Sequence, residues 1–204
     1  MSGEEVLLRP GLPWPNWSAA TTEGARRALG AIIEAAGLDR KWAGLTEAED
    51  RVRRAVLDLY ARLGRAPGAA ELAAAAGMSP EELREQLARL GERDLVVLGG
   101  PEGEIAGAYP FTERATAHRV RLGDRVLNAM CAIDALGAGA MCGADTVVES
   151  ACMGCGTGIR IATREGGAAL EGFSPPGALV WSGIQHDGLC SATSLCTVLG
   201  FFCC

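Results

Sequence analysis

The chain has 204 residues, with 19 Lys and Arg against 25 Asp and Glu, and its formal charge of −6 argues against a large phosphate-binding surface. Hydrophobic residues make up 49% and charged residues 22%, a globular balance that excludes a disordered chain. Aromatic residues reach only 5% while glycine numbers 28, so the expected core is small, aliphatic and rich in turns. The first five residues are acidic, no charged segment leads into an apolar run, and no apolar stretch reaches the roughly 18 residues that span a bilayer. The expectation is a cytoplasmic protein with no membrane partner. All eight cysteines lie at position 131 or beyond, and in a reducing compartment they point to metal binding or catalysis rather than to a disulfide framework.

In chain order, residues 1–20 carry Pro10, Pro13 and Pro15 among Trp14 and Trp17, which reads as an irregular arm anchored by its tryptophans. Residues 22–36 have apolar positions at helical spacing and stop before Gly37, a first helix with its C-cap. Thr46 and Glu49 form a capping box ahead of Val52, Val56, Leu57, Leu59, Tyr60 and Leu63, a second helix closed by Gly64. A short helix over 69–76 ends at Gly77. Ser79, Pro80 and Glu82 then start another, which buries Leu83, Leu87 and Leu90. With the strand Leu95–Leu98 this makes a helix-turn-helix with a wing. The exposed positions of its candidate recognition helix are Glu81, Glu82, Glu85, Arg84 and Arg89; three acids against two bases repel phosphate, so no nucleic-acid partner is expected.

Beyond Gly100 the pattern becomes alternating and turn-rich. Segments 105–109, 118–122, 146–149, 159–162 and 178–181 read as short strands, and 126–136 as a helix among them. The whole is α+β: an arm and helix over 1–45, a helical winged-helix-like domain over 46–100, and a mixed α/β domain with a small multi-stranded sheet over 101–204. In the last of these, Cys131 and Asp134 stand three positions apart, which on a helix places thiol and carboxylate on one face. A carboxylate raises the pKa of a neighbouring thiol, so the pair suits proton transfer better than nucleophilic attack.

Residues 109–136 (YPFTERATAHRVRLGDRVLNAMCAIDAL) resemble the organomercurial (alkylmercury) lyase family, whose catalytic domain carries a strand of this pattern followed by a Cys-Ala-Leu-Asp motif. Ser150-Ala151-Cys152 with Gly156 looks like the family's next cysteine-bearing strand, and Ser194-Leu195-Cys196 with Phe201-Phe202 like its second catalytic cysteine block. The resemblance implies a winged-helix-like domain followed by a catalytic domain. It implies protonolysis of a carbon–mercury bond, with Cys131 and Cys196 as mercury-binding thiols, Asp134 as the proton-transferring acid and Cys152 as a structural cysteine. No cofactor is required by that chemistry. Hg(II) is the bound product, the substrate is a small organometallic, and low-molecular-weight thiols or a mercuric reductase would accept the metal. The family has Trp where this chain has Met130, and polar residues where it has Thr197-Val198-Leu199-Gly200. Those departures bear on the substrate more than on the fold. Two other readings of the same residues are a soft-metal (Hg, Cu or Zn) binding or sensing protein and a lyase for another carbon–heteroatom bond.

Cys152-Met153-Gly154-Cys155 is a CxxC and Cys203-Cys204 a vicinal pair, so these additional thiols make a structural zinc site if the fold joins them, or else hold and hand on a soft metal. Cys142 and Cys190 read as small buried residues, His118 and His186 as ordinary polar contacts, and Gly154, Gly156 and Gly158 as turn glycines.

Overall fold

The computed structural model describes every residue except 1–5, 10–11, 15–16, 18–19, 102, 184 and 186–189, with the backbone alone for 6–9 and 12–14. The segment read as an irregular arm contains a hairpin, β1 (Val6–Arg9) paired antiparallel with β2 (Leu12–Trp14). Trp17 is half-buried, whereas the packing of Trp14 and the contacts of His186 lie outside the described residues.

The helices follow their caps. In α1 (Glu23–Ala36) the Thr22 hydroxyl accepts from the Ala25 amide, and Gly37 at φ 58° ends the helix and leads into the five-residue α2 (Leu38–Trp42). Reciprocal capping boxes at Thr46/Glu49 and Ser79/Glu82 start α3 (Glu47–Leu63) and α5 (Pro80–Glu92); between them runs α4 (Ala69–Ala76). Val52, Val56 and Tyr60 on α3 meet Leu72 on α4 and Leu83, Leu87 and Leu90 on α5, all buried. At about 1.5–3 kcal/mol for each fully buried aliphatic side chain, this stripe outweighs any single polar contact in holding the three helices together. One buried ion pair secures their edge: Arg93 donates from Nε to Glu49 Oε1 at 3.1 Å, and its remaining N–H groups donate to the carbonyls of Lys41, Ala43 and Gly44. Burial pushes the Glu49 carboxyl up, but the Thr46 donors and Arg93 outweigh it and hold the pKa below the usual range.

A hairpin of β3 (Val96–Gly99) and β4 (Glu104–Ala108) carries the chain from the helices into the sheet. Next come β5 (Phe111–Thr112), β6 (Arg119–Leu122), β7 (Arg125–Ala129), helix α6 (Ala132–Cys142), β8 (Thr146–Ala151), β9 (Gly158–Arg164) and β10 (Ala169–Ser174). They form an eight-stranded antiparallel sheet of order β10-β9-β8-β6-β7-β5-β4-β3, with α6 packed on β6, β7 and β8. A separate ribbon pairs β11 (Leu179–Ser182) with β12 (Leu199–Phe202). β6 shows why the sheet has one buried face: Val120 and Leu122 point inward and alternate with exposed Arg119 and Arg121.

Two expectations are corrected. The sheet is larger than the small one expected, because β5, β7 and β10 join it without a clear alternating pattern of their own. Residues 126–136 are not one helix. Val126–Ala129 belong to β7, paired Leu127 to Val120 and Ala129 to Phe111, and the helix begins only at Ala132. Cys131 at φ −152° is extended and its sulfur accepts the Asp134 amide at 3.4 Å, so it is the N-cap, a position that cannot itself be helical.

The turn from β9 to β10 seats directly on α6. A Cβ on Gly167, at φ 80°, would lie 2.2 Å from the carbonyl carbon of Gly139, and a Cβ on Gly139 would lie 2.9 Å from Gly167 Cα. Gly167→Ala therefore strains the backbone and forces the turn off the helix, and should cost on the order of 2–4 kcal/mol in urea unfolding. A loss below about 0.5 kcal/mol would show that the turn is not seated there.

Candidate active site

Cys131 stands at the junction of β7 and α6 because the strand ends at Ala129 and the helix takes the thiol as its cap. The third residue of that helix is Asp134, so the cap is reciprocal: the amide of Asp134 points to sulfur, and the thiol donates to Asp134 Oδ2 at 2.9 Å. Cys196 arrives from the far end of the chain in a single 3-10 turn, Leu195–Val198, immediately before β12. Its thiol also faces Oδ2 of Asp134, at 3.7 Å. The two sulfurs and the carboxylate oxygen all lie within 4.8 Å of one another, with Cys131 2% and Cys196 8% exposed. Ala36, Met130, Ala192, Leu195 and Leu199 wall the site with apolar surface, and Ile32, Leu38, Val97 and Tyr109 pack around them.

A second polar cluster holds the segment that delivers Cys196. Asp94 follows α5 in a left-handed turn at φ 54°, a conformation Asp tolerates better than most residues. Its Oδ2 accepts from Lys41 Nζ at 2.6 Å and from the Ser191 amide at 2.8 Å, and its Oδ1 accepts the Tyr109 hydroxyl at 2.9 Å. Lys41 also donates to the Ser191 hydroxyl oxygen at 2.8 Å. From Ser191 the chain runs through a turn in which the Cys196 amide donates back to the Ser191 carbonyl at 2.8 Å, and Arg114 reaches the Ala192 carbonyl. No local pattern in the sequence announces this cluster, whose members come from four separate segments. The turn after α5 is its nearest visible sign.

The two aspartates respond to burial in opposite ways. For Asp94, burial pushes the pKa up, but Lys41 and the two Ser191 donors outweigh it and leave the carboxyl below its usual value. For Asp134, burial dominates and the thiols of Cys131 and Cys196 offset only part of it, so its pKa is pushed up to about 6. The Cys131 thiol is pushed far up, first by its contact with Cys196, then by burial and the Asp134 charge, and it keeps its proton near neutrality. Burial and then the charges of Asp94, Cys196 and Cys190 also raise Tyr109, which stays a hydroxyl donor.

The remaining thiols separate. Cys152, Cys155, Cys203 and Cys204 gather in a second group around the β8–β9 turn. Cys142 and Cys190, expected to be buried, are half-buried and belong to neither group. His118 makes the expected ordinary contact, its Nδ1 lying 2.8 Å from Ser150 Oγ, and burial lowers its pKa so that it stays neutral. Gly156, at φ 73°, sits in the turn joining β8 to β9.

Comparison with known proteins finds likenesses along both parts of the chain. Residues 111–204 match the family described as alkylmercury lyase, and residues 47–90 match the family described as Sigma-70 region 3. Among curated proteins none matches the chain. Among solved structures, the mercury-bound form of MerB2 superposes with a TM-score of 0.68 at 22% identity, covering 84% of this chain and 81% of that one. At that identity the likeness establishes a shared fold.

The raised Asp134 carboxyl gives a pH-dependent stability. Its protonated form is favoured in the folded state, so its contribution is fully present below the unfolded value of about 3.8 and is lost as pH rises through about 6. Asp134→Asn removes that loss. Urea unfolding of both proteins should show the variant gaining on the parent by on the order of 2 kcal/mol between pH 4 and pH 7. A difference independent of pH would mean that Asp134 titrates normally.

Proposed function

We propose that this chain, alkylmercury-lyase-like over residues 111–204 and in its fold, is an organomercurial lyase that cleaves a carbon–mercury bond by protonolysis. The observation that carries the reading is one carboxylate oxygen, Asp134 Oδ2, facing both the Cys131 and the Cys196 thiol inside an apolar wall. Mercury is soft and prefers sulfur, so the substrate's mercury exchanges its leaving ligand for one of these sulfurs, whose proton is lost in the exchange. The second thiol gives its proton to Asp134 as its sulfur closes on the metal. The carboxyl then delivers that proton to the metal-bound carbon. The carbon–mercury bond breaks, a carbon–hydrogen bond and a second sulfur–mercury bond form, and mercury remains Hg(II) throughout. A carboxyl with a pKa of about 6 can take and release a proton near neutral pH at little cost in either direction. The apolar wall keeps bulk water from competing as the proton donor. The hydrocarbon leaves, and Hg(II) stays on two sulfurs until a low-molecular-weight thiol or a mercuric reductase accepts it.

In this reading residues 1–45 are an arm and helix, 46–100 a winged-helix-like domain and 101–204 the catalytic domain, in a cytoplasmic protein. Three helices followed by the β3–β4 hairpin support the winged-helix assignment. Glu81, Glu82 and Glu85 on the exposed surface of α5 oppose phosphate, so this domain serves as a scaffold. No sequence-preferring, salt-sensitive binding to duplex DNA should appear at sub-micromolar protein, and detecting it in a fluorescence anisotropy titration would overturn the scaffold role. Among the described residues no helix is long and apolar enough to cross a membrane.

The rival is a protein that holds a soft metal without turnover, which the second group of four thiols favours. Incubation with methylmercury and excess thiol, with methane measured in the headspace, separates the two readings. Cys131→Ser and Cys196→Ser should each abolish methane release, because a hydroxyl binds Hg(II) poorly and stays un-ionised. Asp134→Asn should retain Hg(II) binding yet lose single-turnover release by at least about 100-fold, since an amide cannot relay the proton. Release from Asp134→Asn at the parent's rate would end the proposed mechanism, and a parent protein that binds mercury but releases no methane would favour the metal holder.

A further inference from the structure

Away from the Cys131–Cys196 pair, Cys152 and Cys155 flank the turn after β8, while Cys203 and Cys204 follow β12 at the end of the given sequence. All four sulfurs lie within 4.8 Å of one another, with 3.9 Å between Cys152 and Cys204 and 3.7 Å between Cys155 and Cys203. A disulfide needs about 2.05 Å, so neither pair is bonded. Four thiolates at about 2.3 Å from a tetrahedral zinc ion stand about 3.8 Å apart along each edge, and the two separations across this group bracket that value. Mercury in two-coordinate form sets its sulfurs on opposite sides of the ion, farther apart than the edge of such a tetrahedron.

The backbone around the group is arranged to meet sulfur. Within Cys152-Met153-Gly154-Cys155-Gly156 the chain folds back, the Gly156 amide donating to the Cys152 carbonyl at 2.9 Å and Gly156 taking φ 73°. The Cys203 amide donates to Cys152 Sγ at 3.4 Å, and the Thr157 hydroxyl oxygen lies 3.2 Å from Cys155 Sγ. Gly154 borders the group, since a Cβ there would lie at ordinary contact distance from Cys204 Sγ (3.6 Å) and Cys152 Sγ (3.8 Å).

We infer that Cys152, Cys155, Cys203 and Cys204 form a closed tetrathiolate site for one structural zinc ion, distinct from the Cys131–Asp134–Cys196 site. Zinc suits it because four sulfur ligands leave no open position and because the ion has no redox chemistry to protect in a group whose Cys155 and Cys204 are exposed. The ion clamps the β8–β9 turn to the end of β12. That strand follows directly from the turn bearing Cys196, so the clamp also fixes the approach of the second thiol. The assignment does not depend on the lyase reading, since it concerns other residues and a different readout.

The test is metal content of the full chain, purified with reductant, exposed to Zn(II) and dialysed. The expected result is about one zinc per chain in the parent and in the Cys131→Ser/Cys196→Ser double variant, with a loss of at least about tenfold in Cys155→Ser/Cys204→Ser. Replacement by Co(II) in the parent protein should give thiolate charge-transfer bands and the intense visible bands of a tetrahedral ion. This measurement needs no folded variant. Less than about 0.2 zinc per chain in the parent, iron in its place, a Co(II) spectrum without thiolate bands, or zinc lost with the Cys131/Cys196 variant instead, would each overturn the proposal.

Discussion

A single carboxylate oxygen facing two thiols is the contact around which the rest of the molecule is arranged. Local structure alone could not bring both thiols to Asp134, since one is the cap of the helix that bears Asp134 but the other comes from a turn near the end of the given sequence. The first half of the geometry is inexpensive. A helix N-terminus leaves amides without partners, and sulfur at the cap takes one of them while the carboxylate of the third helical residue accepts the cap's own S–H. In an ordinary capping box a hydroxyl and a carboxylate serve only the helix. Here the same positions hold a thiol and an acid, so the device that starts α6 also sets Cys131 against Asp134.

The second half of the geometry rests on Asp94. Asp94 is buried and Asp134 half-buried, and the pKa values of the two carboxyls move in opposite directions. Asp94 meets an ammonium, an amide and two hydroxyl-bearing neighbours, stays ionised, and ties α2, the turn after α5, Tyr109 and the Ser191 segment together. Asp134 meets only thiols, which compensate a buried charge poorly, and it drifts toward neutrality. A group that must hold a position benefits from a fixed charge with fixed partners. One that must pass a proton benefits from having no strong partner for either form.

The helices were legible in the sequence because their signals are local: Thr46 with Glu49, Ser79 with Pro80 and Glu82, and glycines at 37, 64 and 77 fix ends that the structure reproduces to within a residue or two. The stretch Val126–Leu136 misled because its apolar spacing suits both a strand and a helix. What decides between them is β6, which takes Leu127 as its partner, and Cys131, which must be extended to cap. The short β5 and the half-exposed edge strand β10 carry little periodicity of their own and exist through their neighbours. Cys131, Asp134 and Cys196 were visible through their residue types and the resemblance that those types carry. Lys41, Asp94, Tyr109 and Ser191 were not, since a network with one member from each of four segments leaves no pattern in any of them.

This distribution of labour bears on what the N-terminal helices are for. α1 and α2 contribute Ile32, Ala36 and Leu38 to the wall around the two thiols, and the last turn of α2 carries Lys41, which pairs with Asp94. Arg93 binds the carbonyls at the end of α2 while pairing with Glu49 on α3, so the position of Lys41 is inherited from the packing of the three-helix unit. The mechanical route from that unit to the site runs from Glu49 through Arg93 to α2, from Lys41 to Asp94, and from Asp94 to the Ser191 turn that carries Cys196. The helical unit is thus coupled to the site mechanically, because its charged edge supports the segment that carries the second thiol.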